Sequence, residues 1–150
     1  MDRQDELRSP LRAASFVAAA VIASLGLTLV AAEIIRLKLR PFTGFAPWAG
    51  TPEVRYAVFG AAVAAVLLVR VLRQALAGRL SRELAGDALP RLQRAAVVTL
   101  ILSEVPGILG FVLFLLGGYN RDLYVLVFAS LFLVFMHYPR RANWEDWLRG

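Results

Sequence analysis

The sequence predicts an all-α fold, an integral membrane bundle of four transmembrane helices with both termini on the cytoplasmic side. Three observations carry that prediction. Four long apolar blocks divide the 150 residues. Charged residues make up 19% of the chain, against about 25% in a soluble domain, and they collect between the blocks. Most of the basic residues fall on one side of the blocks. With 59% hydrophobic residues and no cysteine, a disordered tail, a disulfide scaffold and a thiolate metal site are excluded. A water-soluble enzyme fits poorly. A pI near 10.7 would suggest nucleic acid in a soluble protein. Beside membrane spans the same excess is expected at the inner surface, so no nucleic-acid partner is expected here.

The spans are placed at about 13–35, 54–72, 95–118 and 123–138 of one transmembrane domain. A helix needs about 20 residues to cross a hydrocarbon core of about 30 Å, with about 17 tolerable. The first block, from Ala13 to Ile35, follows Arg3, Arg8 and Arg12 and carries small residues at Val30-Ala31-Ala32, as a signal peptide would. It is longer than an ordinary signal core and is read as a retained span. The second block, Val54 to Leu72, reaches span length if Arg70 snorkels toward the headgroups. The third, Ala95 to Gly118, passes easily. The fourth, Leu123 to Tyr138, is the shortest and uses Tyr124, His137 and Tyr138 as interfacial ends.

Arg40 to Glu53 contains Pro41, Pro47, Pro52, Gly44 and Gly50, so it is no regular helix, and Trp48 suits the outer interface. Gln74 to Arg94 carries Leu76, Leu80 and Leu84 at helical spacing, with Arg79 and Glu83 set to pair, and either continues span two or lies on the membrane surface. Gly117-Gly118-Tyr119-Asn120 reads as a tight hairpin. After Pro139, Asn143 offers a cap, and Trp144 and Trp147 mark a short C-terminal interfacial amphipathic segment. Twelve basic residues fall on the side of the termini and five on the other, which places both termini in the cytoplasm, in a multi-pass protein of a bacterial plasma membrane.

Small residues at regular spacing mark the faces where helices approach in lipid. Ala20, Ser24, Thr28 and Ala32 form such a row in span one, Ala57, Ala61 and Ala65 in span two with Gly60 and Ala64 beside them, and Ala96, Ser103, Gly110 and Gly117 in span three. Span four is bulky. Spans one to three are therefore expected to form the core, with span four facing lipid or a partner.

Glu104 carries the most chemical information. It sits near the middle of span three, where a carboxylate costs about 2.5–3.5 kcal/mol to insert. Ser103 precedes it, and Pro106-Gly107 follows, where the missing N–H frees the carbonyl of Leu102 and a kink is expected. That combination suits a proton or sodium site, or a neutral carboxyl that merely pins helices together. Both readings stay open. Glu33 is a secondary candidate, read first as an ion pair with Arg36. Arg70 is another, read first as a snorkelling cation and second as a partner for Glu104. His137 stands alone, cannot make a metal site, and is read as an interfacial anchor. No serine-hydrolase, zinc-protease or phosphate-loop signature is present, so neither catalysis nor a cofactor is expected.

Three pieces of spans two and three and of the loop between them carry a resemblance. They are Gly60-Ala61-Ala62-Val63-Ala64-Ala65, then Ser81-Arg82-Glu83-Leu84-Ala85, then Ser103-Glu104-Val105-Pro106-Gly107-Ile108-Leu109-Gly110. Together, over residues 57–117, they resemble the helical hairpin of the c-subunit proteolipid of rotary ATP synthases. The resemblance implies that Glu104 would be the ion-carrying carboxylate. It departs from that family in lacking the inner-helix glycine repeat and the Arg-Gln-Pro loop element. The functional expectation is a non-catalytic accessory or structural subunit within a larger membrane complex, whose partners are the lipid bilayer, other subunits or further copies of itself. The alternative is a c-subunit-like carrier of protons or sodium that uses Glu104. A component of a small-molecule or lipid transporter comes third.

Overall fold

The computed structural model describes residues 3–46, 51–80 and 88–138, the side chains of 3–10, 73, 76–80 and 88–92 excepted. Within them the chain forms four α-helices: α1 (Arg3–Lys38), α2 (Pro52–Leu80), α3 (Ala88–Gly117) and α4 (Asn120–Met136). Three have stretches long and apolar enough to cross a membrane, Leu11–Lys38, Pro52–Leu72 and Gln93–Gly117. At 17 residues α4 is the short one, reaching about 26 Å at about 1.5 Å per residue. All four predicted spans lie on helices, and α1, α2 and α3 run well past them at the termini side. Span two continues without interruption to Leu80. The surface-segment alternative therefore fails as far as that residue. Trp48, the Ser81–Ala85 loop and the C-terminal segment with Trp144 and Trp147 lie outside the described residues.

The packing corrects the expected arrangement. The central helix is α3, and its most extensive partner is α4, while α1 and α2 flank it and barely touch each other. Span four is thus half core, with Leu126, Val127, Ser130 and Val134 buried and Phe128, Phe132 and Phe135 exposed on its other side. The reason is geometric. Gly107 and Gly110 strip α3 of side chains where α4 crosses, so bulky residues of α4 fit against bare backbone. A Cβ on Gly110 would lie 2.9 Å from Leu126 Cβ and 3.3 Å from the Leu123 carbonyl oxygen.

The small-residue rows are only partly contact faces. In α1 the buried positions are Leu11, Ala14, Ala18, Val21, Leu25 and Ala32, alternating by three and four like a coiled-coil seam, while Ala20 is exposed. In α3 the row holds at its centre, with Ser103 and Gly110 buried and Ala96 and Gly117 half-buried. In α2 it fails: Ala62 and Val69 face α3's side of the bundle, whereas Ala57, Gly60, Ala61 and Ala64 are exposed.

The connections gather at one end. Phe45 and Ala46 donate their amide N–H groups to the carbonyls of Leu115 and Leu116, at 2.8 and 3.0 Å. These carbonyls belong to the last turn of α3 and have no helical donor of their own. Gly118, with φ +69°, ends α3 in the left-handed conformation, and its N–H reaches the Phe114 carbonyl at 2.8 Å. Gly44, with φ +92°, lies directly against the Leu116 carbonyl, where a side chain would not fit. Phe42 packs on Phe114 with ring centres 5.0 Å apart.

The crossing of α3 and α4 is therefore intolerant of added atoms. Gly110→Ala is expected to destabilise the protein by about 1–3 kcal/mol through overpacking. Gly60→Ala, with nothing within 4 Å of the new carbon, is expected to be neutral or slightly stabilising. Unfolding midpoints of the purified proteins in detergent check both.

Candidate functional site

At the middle of α3 the backbone is short of donors. Pro106 has no N–H, so the carbonyl of Leu102 lacks its usual partner one turn on. The N–H of the next residue, Gly107, donates to Ser130 Oγ on α4 at 2.7 Å. The Ser130 hydroxyl in turn donates to the Glu104 carbonyl at 3.4 Å. Ser103 Oγ donates to the Thr99 carbonyl at 2.7 Å, within its own helix. Leu25 of α1 also reaches this point, touching the face that Gly107 leaves bare. Three helices therefore converge on the Pro106–Gly107 step, and helix α3 remains continuous through it.

Glu104 stands beside this joint, half-buried, and its carboxyl has no hydrogen bond or ion pair to another described residue. Ser103 is fully buried and directed back to Thr99. Arg70 is exposed on α2 and makes no ion pair with Glu104. The structure thus brings Ser103, Glu104, Pro106 and Gly107 together with Ser130, and leaves Arg70 apart. Among the described residues, no three acidic or imidazole groups are close enough to hold a metal ion.

The polar groups at the loop end are paired. Glu33 accepts from Arg36 at 3.0 Å, one turn along α1, and also from the Tyr124 hydroxyl of α4. Arg55, in the first turns of α2, grips both carboxylate oxygens of Asp122 at 2.5 and 2.7 Å. Its guanidinium also lies 5.4 Å from the centre of the Tyr119 ring. Asp122 is buried although Arg55 is exposed. An acid in the first turn of α4 is favoured there by the helix dipole. A surface depression of about 400 Å³ opens over this pair, lined by Tyr119, Asn120 and Arg121 as well. At the far end of α4, the His137 amide and Nδ1–H both donate to the Leu133 carbonyl, at 3.0 and 2.7 Å. That closes the last turn of α4. Beside it, Ile22, Phe128, Leu131, Phe132 and Phe135 line an apolar groove of about 540 Å³.

Sequence reasoning missed Asp122 and Ser130, and read Tyr124 only as an interfacial end rather than as a partner of Glu33. Asp122 pairs across 67 positions and Tyr124 across 91, so no local pattern could reveal them. Ser130 did carry a signal, as a hydroxyl set in an otherwise bulky helix.

Two substitutions test these contacts. Ser130→Ala removes the buried hydroxyl that ties Gly107 of α3 to α4 and is expected to lower stability by about 1 kcal/mol, measured by unfolding in detergent. Arg55→Gln and Asp122→Asn are expected to be strongly non-additive, the double variant being barely less stable than Asp122→Asn alone. Additive losses would show that the two side chains act independently. No protein family, curated protein or solved structure matches this chain.

Proposed function

We propose that this chain is a small non-catalytic integral membrane protein that serves as an accessory subunit, presenting helix α2 to a neighbouring membrane helix. The observation that carries this reading is the outward face of α2, where Ala57, Gly60, Ala61 and Ala64 lie exposed. In lipid there is no hydrophobic gain in burying one apolar helix against another, so association depends on close backbone approach. Large side chains on that face would suit lipid equally well. Small ones suit another helix. The short α3–α4 connection and their side-by-side packing support a fourth crossing by α4, which is at the low end of spanning length. The charge distribution supports cytoplasmic termini.

Deleting the chain in its host is expected to destabilise one membrane complex, seen as a lost or shifted band in native gel electrophoresis. Gly60→Leu with Ala64→Leu is expected to fail in restoring it while the purified variant unfolds at the wild-type midpoint. An unchanged set of membrane complexes in the deletion strain contradicts the proposal.

A second reading is favoured by one observation, the half-buried Glu104 carboxyl without a described partner. It is a proton- or sodium-binding role. Carbodiimide labelling of Glu104 that fades as pH rises, and is absent in Glu104→Gln, would support it. Equal ion flux through liposomes carrying either protein would remove it.

A further inference from the structure

The joint at Pro106–Gly107 gives the depth of the apolar groove beside α4. Ser130, which accepts from Gly107, lies ten residues from the start of α4 at Asn120, and Gly107 lies ten residues from the end of α3 at Gly117. At about 1.5 Å per residue that is about 15 Å on each helix, half of a hydrocarbon core of about 30 Å. With the loop end at one surface, the joint lies at the midplane.

The groove occupies the other half. Phe128, Leu131, Phe132, Phe135 and Tyr138 line it along one stripe of α4, and Ile22 of α1 forms the opposite wall. From Phe128 to Tyr138 is again ten residues, about 15 Å. The groove therefore runs from the midplane to the surface on the termini side, the depth of one leaflet. Leu131 is half-buried at its floor, while Ile22, Phe128, Phe132 and Phe135 are exposed. It stays open because α1 and α4 pack on α3 and touch each other only sparsely. Tyr138 stands at its surface end, and tyrosine seats well at headgroup level.

The groove is continuous with the apolar surface that α1 and α4 turn outward along their lengths. Another helix is a poor occupant. Close approach of helices in lipid needs small residues, and here a phenylalanine at every turn holds a second backbone away. A hydrocarbon chain is thin enough to enter. Between two walls it makes dispersion contacts on both sides at once, where a flat helix face offers one.

We infer that this groove is a binding site for one acyl chain of a phospholipid from the leaflet on the termini side, lying end to end between Ile22 and the phenylalanines. The inference rests on the reading of α4 as a fourth crossing and not on the accessory-subunit role.

The test uses the purified full-length chain in a neutral detergent, titrated with long-chain or short-chain phosphatidylcholine and read by native mass spectrometry. One long-chain lipid is expected to be retained per protein chain. Phe128→Ala, at the midplane end, is expected to weaken long-chain binding about tenfold, as the loss of roughly ten close atom contacts implies, and to leave short-chain binding unchanged. Phe135→Ala, nearer the surface, is expected to weaken both. Both rings are exposed, so neither variant is expected to unfold. Phe16→Ala, an exposed ring outside the groove, is expected to change neither lipid. No retained lipid, the same response of both lipids to Phe128→Ala, or a dimer that excludes the lipid overturns the inference. The chain has no cysteine of its own. Reaction of Arg121→Cys and Tyr138→Cys with an impermeant thiol reagent from the same side of a vesicle would instead overturn the crossing of α4 on which the inference rests.

Discussion

Hydrocarbon offers no water to an unpaired peptide group, and a proline in the middle of a spanning helix therefore makes a demand on its neighbours. Here Pro106 withholds an N–H from the Leu102 carbonyl in a helix that stays continuous, and one residue on Ser130 of α4 accepts from the Gly107 amide. That bond, with the bare backbone of Gly107 and Gly110 on either side of it, sets the register of α4 against α3. The rest of the loop end follows from that register. It places Tyr124 beside Glu33 and carries Asp122 to Arg55, which ties down the start of α2. It also leaves the last carbonyls of α3 open to the α1–α2 connection, which closes them through Phe45 and Ala46.

The four helices consequently have unequal roles. Three of them share a joint near mid-bundle and are fastened again at the loop end. The fourth, α2, is fastened at its first turns and otherwise leans on α3 alone. A helix held in this way leaves one side of its surface uncovered, with the small residues Ala57, Gly60, Ala61 and Ala64 toward its start and Leu67, Leu68 and Val71 beyond them. The packing of α3 with α4, the most extensive in the bundle, is what gives the chain a shape of its own.

The helices were legible in the sequence because hydropathy over some 20 residues is a local property. Their mutual arrangement was not. A row of alanines permits close approach without saying which neighbour approaches, and Ala57 and Ala61 turned out to face away from the chain's own core. Span four read as peripheral because its side chains are large, yet large side chains are what fill the space above glycines. The polar joint was half visible: Glu104, Ser103, Pro106 and Gly107 stand together in the sequence, but the hydroxyl that completes it lies 23 residues away from Gly107. The Arg55–Asp122 pair was wholly hidden, since each member alone looks like an ordinary charge beside a membrane.

The closure of α3 by the α1–α2 connection also says something about time. The donors at Phe45 and Ala46 and the pairing groups Glu33 and Arg55 all leave the ribosome before the segments they bind, by 67 residues for Arg55 and 91 for Glu33. The loop-end groups of the first two helices, the Glu33–Arg36 pair within α1 apart, are therefore made before their partners. The α3–α4 hairpin thus completes contacts whose other halves are already made in α1, in α2 and in the segment that joins them.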